Sequence, residues 1–67
     1  MSTSTKLQKV LASTQGLAAE LKTFSMDTDN QEAKQTFKQL AQTMENSAQT
    51  LQSRLDFVQS EEPQYRD

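Results

Sequence analysis

Apolar residues recur along the chain at helical spacing, in two runs parted by a short polar cluster. In the second run Ala33, Phe37, Leu40, Ala41, Met44, Ala48, Leu51, Leu55 and Val58 form a one-sided stripe. That stripe predicts one helix over about residues 29–62, closed by Pro63, with a short tail at 63–67. In the first run Leu7, Thr14 and Leu21 share one heptad column, Val10, Leu17 and Phe24 a second, and Leu11, Ala18 and Ser25 a third. Three adjacent columns predict a helix over about residues 5–25 whose apolar face is wide enough to touch more than one neighbour.

The flanking polar residues suggest where these helices begin. Thr5 followed by Gln8 fits a capping box, and Ser4 is an equally good cap. Asp29 followed by Glu32 does the same for the second helix, with Thr28 and Gln31 as the alternative register. Asp27, Asp29 and Glu32 suit the positive end of that helix, whereas a calcium loop would need a Gly and a Glu that are missing from its pattern. A connection this short brings the helices back antiparallel, with Leu21 near Lys34 and Leu7 near Ala48.

Two further readings follow from the spacing. The stripe of the second helix drifts: Ala33 and Leu40 give way to Ser47 and Arg54, while the neighbouring column passes from Lys34 to Ala41, Ala48 and Leu55. Its mean step is close to the 3.6 residues of an unstrained helix, which predicts nearly straight helices in a bundle. At 1.5 Å per residue the helices measure about 30–33 and 45–48 Å, so the second overhangs by about two to three turns. Leu55, Phe57 and Val58 fall in that overhang, and leaving them wet would forgo roughly 1.5–3 kcal/mol each. A second copy could cover them. The expected fold is therefore all-α: an antiparallel two-helix hairpin that dimerises into a four-helix bundle. Its core and dimer interface would draw on Leu7, Val10, Leu11, Leu17, Leu21, Phe24, Phe37, Leu40, Met44, Leu51, Leu55, Phe57 and Val58.

Composition narrows the function. Sixty-seven residues make a single domain that buries only about 60% of its unfolded surface, so it needs support from outside its own core. With no Cys and no His, neither a disulfide nor a zinc site is expected, and no cofactor. The commonest general base and the thiol nucleophile are missing too, so no enzyme is expected. A net charge of -2 argues against a nucleic-acid partner. The longest apolar run is Leu17-Ala18-Ala19, so no transmembrane segment is expected. Residues 1–6 lead into no apolar stretch, so the chain reads as soluble and intracellular.

Two positions carry open alternatives. Gly16, mid-helix, is either a tolerated surface glycine or a point of close approach by a second backbone. Glu61, Glu62 and Tyr65 are either a solvated helix end or a docking tail for a basic partner.

The end Glu61-Glu62-Pro63-Gln64-Tyr65 resembles a small family of endospore-forming bacteria known as domain of unknown function one-six-five-seven. The likeness extends through Leu7, Val10, Leu11 and Ala12, Gly16, Phe24, the segment Ala33-Lys34-Gln35-Thr36-Phe37 and the second helix. It implies a place in sporulation, because genes of such proteins lie near operons for spore-membrane channels that take up dipicolinic acid and act in germination. The same domain is joined elsewhere to a membrane protein associated with spore heat resistance. No catalytic or cofactor residue comes with the resemblance. The secreted hairpins of type-seven secretion carry a Trp-x-Gly turn, which this chain lacks. The expected function is a dimeric interaction module with a homodimer partner and a spore-membrane protein partner, located in the forespore or spore. The alternative is a peripheral membrane-surface or nucleic-acid-binding small spore protein using Lys6, Lys9 and Lys22.

Overall fold

The computed structural model describes residues 2–61: helix α1, Thr3–Asp27, a three-residue turn, and helix α2, Gln31–Ser60, packed back along it. Ser2 caps α1, its hydroxyl accepting from the amide of Thr5 at 3.0 Å, so the helix begins two residues before the predicted start. Asn30 caps α2, its side-chain oxygen accepting from the amide of Ala33 at 2.9 Å. The caps are thus Ser2 and Asn30, not Thr5 or Ser4 and not Asp29 or Thr28. Thr28 serves the turn itself, accepting from the amide of Asn30 at 3.2 Å. Both Thr28 and Asn30 keep extended backbone with negative φ, which explains a tight turn with neither Gly nor Pro.

The turn sets the register. Ser25 meets Lys34 and Phe24 stacks on Phe37, where Leu21 had been expected to meet Lys34. With 25 and 30 residues the helices are about 37 and 45 Å long, so α2 outruns α1 by little more than one turn. Leu55 and Val58 consequently find cover within the hairpin, at 5% and 3% exposure. The expected overhang is absent for them, and they need no second chain to shelter them. Phe57 alone of the three stays open, under the guanidinium of Arg54 at 5.0 Å.

The seam between the helices keeps a strict heptad. Ser4, Leu11, Ala18 and Ser25 are buried on α1, and Ala41, Ala48 and Leu55 on α2, each seven residues from the next. Leu7, Thr14, Leu21 and Thr28 alternate with the first set, half-buried, and Phe37, Met44 and Leu51 with the second. Spacing of three and four is the contact pattern of two helices that wind along each other. The predicted drift toward 3.6 does not shape the contact: Leu40 lies off the seam, and Lys34, polar in sequence, lies on it. Three alanines at seam positions let the backbones approach closely.

Two helices side by side make a single layer. The molecule measures 50 × 17 × 10 Å, and its radius of gyration of 15.3 Å exceeds the about 11 Å of a compact domain this long. Among the described residues no large side chain is fully buried.

Candidate interaction surface

A one-layer hairpin has two broad faces, and here they differ in chemistry. One is polar. Lys22 of α1 pairs with Glu45 of α2 across it. Beside that pair Ala18 and Ala48 leave an open groove of about 400 Å³, walled by Gln15, Gln49 and Gln52. Its lining is amide and methyl groups and the Lys22–Glu45 ion pair.

The other face is apolar. The half-buried residues Leu7, Leu21, Phe37, Met44 and Leu51 floor it, open on the side away from the groove. Next to them stand Val10, Leu17 and Phe24 on α1 and Leu40 on α2, with Phe57 near one end, all 44–54% exposed. Phe24 and Phe37 touch across it, ring centroids 5.7 Å apart. Along the outer edge of α2 the hydroxyls of Thr36, Thr43 and Thr50 donate to the carbonyls of Glu32, Gln39 and Asn46 of their own helix. Those hydroxyls carry no unmet donor into a contact, so a partner meets mainly methyl groups there.

The sequence-predicted residues therefore divide in three. Leu11, Leu55 and Val58 are buried in the hairpin, and Leu7, Leu21, Phe37, Met44 and Leu51 are half-buried. Val10, Leu17, Phe24, Leu40 and Phe57 are turned outward. Glu61 caps the end of α2, its amide donating to the carbonyls of Phe57 and Val58, while Glu62 and Tyr65 lie outside the described residues. Sequence reasoning missed Ser4 on the seam and, though Ser25 and Lys34 stood in its heptad columns, did not count them as part of the core, since no hydrophobic pattern marks them.

Other chemistries find less to work with. Lys6, Lys9 and Lys22 are spread around α1, and Lys22 is paired with Glu45, so they form no single basic patch. Among the described residues no three His, Cys, Asp or Glu side chains converge as a metal ion would need. Among the same residues no helix is long and apolar enough to cross a membrane.

Fold and surface together define a small helical hairpin with a heptad seam and one uncovered apolar face. The chain belongs to the family described as Protein of unknown function (DUF1657), whose model matches residues 7–55. The match spans most of both helices and stops short of the Glu61-Glu62-Pro63 end on which the resemblance was first read. No curated protein and no solved structure matches the chain.

Proposed function

We propose that this chain is a non-catalytic interaction module that works as a homodimeric four-helix bundle, two hairpins closing over each other's apolar face. The observation that carries this reading is the row of Val10, Leu17, Phe24 and Leu40 left half-exposed beside a half-buried floor. Single exposed apolar residues are ordinary on a protein surface, but a contiguous face of them marks an interaction site. The need fits this reading, because among the described residues the core is six buried apolar side chains, three of them alanine, small for a domain that must stand alone. The groove between the helices is open to solvent, which gives little support to an enzymatic reading. Resemblance to a family of endospore formers supports reading the module as one of spore resistance or germination, acting in the forespore or spore with a spore-membrane protein as a further partner.

Sedimentation of the full chain over a dilution series tests the dimer. A mass of two chains at micromolar concentration is the expected result, and Leu17→Glu should halve it while helicity is retained. A wild-type chain that stays folded and monomeric throughout would overturn the reading.

A further inference from the structure

Two hairpins can close face to face in two ways: α1 over the partner's α1, or α1 over the partner's α2. The charges beside the apolar column separate them. Resting on the dimeric reading above, the geometry points to a two-fold axis beside Leu17, with α1 lying antiparallel on α1 of a second copy.

Val10, Leu17 and Phe24 are seven residues apart and symmetric about Leu17. An axis there sets Leu17 against its own copy and Val10 against the partner's Phe24, so small meets large at both ends. A second column, Lys6, Ser13, Glu20 and Asp27, runs along the same edge of α1, each member three or four residues from one of the apolar three. All four are exposed. The column is positive at its start and negative at its end. Reversed about Leu17, it brings Lys6 beside the partner's Asp27, and the symmetry makes that contact twice. A parallel pairing would instead set each charge against its own kind.

The competing arrangement lacks this match. Over the partner's α2, the register that sets Phe24 against Phe37 would bring Phe24 to Leu40, but the edge column there is Thr36, Thr43, Thr50 and Phe57, which carries no charge. Lys6, Glu20 and Asp27 would then gain no opposite charge from that column.

The chain has no cysteine, so introduced ones report position directly. The full-length Leu17→Cys chain is first shown to be dimeric when reduced, then oxidised mildly. Residues beside a two-fold axis fall within the roughly 4.4–6.8 Å Cα separation a disulfide needs, so most of it should become a covalent dimer. Under the same oxidation an equal mixture of Phe24→Cys and Leu40→Cys chains should give little 24–40 link, because the axis sets Phe24 against the partner's Val10. A dimer in which Leu17→Cys stays unlinked, or in which the 24–40 link forms readily, overturns the axis and leaves the dimer standing. A monomeric wild-type chain overturns both. Independently, Lys6→Glu should weaken dimerisation by about threefold or more, and adding Asp27→Lys should return it to within about twofold of wild type. Failure of the second change to rescue the first overturns the pairing.

Discussion

The ammonium of Lys34 reaches across the turn and donates to the carbonyl oxygen of Ser25 at 2.7 Å. The last turn of α1 contains no basic residue of its own, so its exposed carbonyls and negative dipole end have no cation from within the helix. The next helix supplies one. A single side chain thereby closes the C-terminus of α1 and holds the start of α2 against it.

Removing that ammonium should be felt by the whole hairpin. Lys34→Met keeps the stem and loses the donor, at an expected loss of about 1 kcal/mol, or roughly 4–8 °C in melting temperature for a chain this size. Thermal unfolding followed by circular dichroism measures it. An unchanged melting point would mean that the contact contributes nothing.

The cap of α2 can be assigned by a pair of substitutions. Asn30→Ala removes the oxygen that accepts from Ala33 and should lower stability by about 1 kcal/mol. Asp29→Ala touches no cap hydrogen bond and should change it by less than half as much. The opposite order in urea midpoints would return the cap to Asp29.

Close approach of the helices rests on small side chains at the seam. Ala41 is 2% exposed, and Ala41→Leu would have to push the backbones apart, for an expected loss of about 1–3 kcal/mol. Ala12→Leu, at an exposed position of α1, serves as the control and should be near neutral. Urea denaturation of both compares them directly.

Gly16 gives a prediction of the opposite sign. A Cβ added there would meet nothing within 4 Å, so no second backbone of the hairpin approaches it. Gly16→Ala should therefore stabilise the chain by roughly 0.5–1 kcal/mol through helix propensity alone. A lower melting temperature would reveal a contact that the lone hairpin lacks.

Much of this fold was legible because large apolar residues sit where the pattern says. Leu11, Leu21, Phe37, Met44, Leu51 and Leu55 mark the facing sides of both helices, and the tight cluster around Asp29 marks the turn. What escaped the pattern was polar. Ser4, Ser25 and Lys34 occupy seam positions because a hydroxyl paired with the capping Ser2, a hydroxyl bonded to its own helix and a lysine bonded to a carbonyl are tolerated there. Counting only apolar residues therefore ended α1 too early and made the stripe of α2 seem to drift. The caps failed for another reason: Asp29 with Glu32 mimics a capping box, and only backbone geometry separates it from Asn30. A difference of two residues at each of the four helix ends, Thr3–Asp27 for 5–25 and Gln31–Ser60 for 29–62, was enough to invent an overhang. For the candidate surface, sequence named Val10, Leu17, Phe24 and Leu40 but could not divide them from the seam, since both sets share one helical period.

The thickness of 10 Å has a consequence for how the molecule opens. Each helix is the other's only cover, so neither has a folded neighbour to remain with once the seam parts. Amide protons in the middle of α1 and α2 should then exchange with solvent through one shared event, at the free energy of unfolding the entire hairpin. Anything that raises the protection of both helices together must do so by adding a second layer.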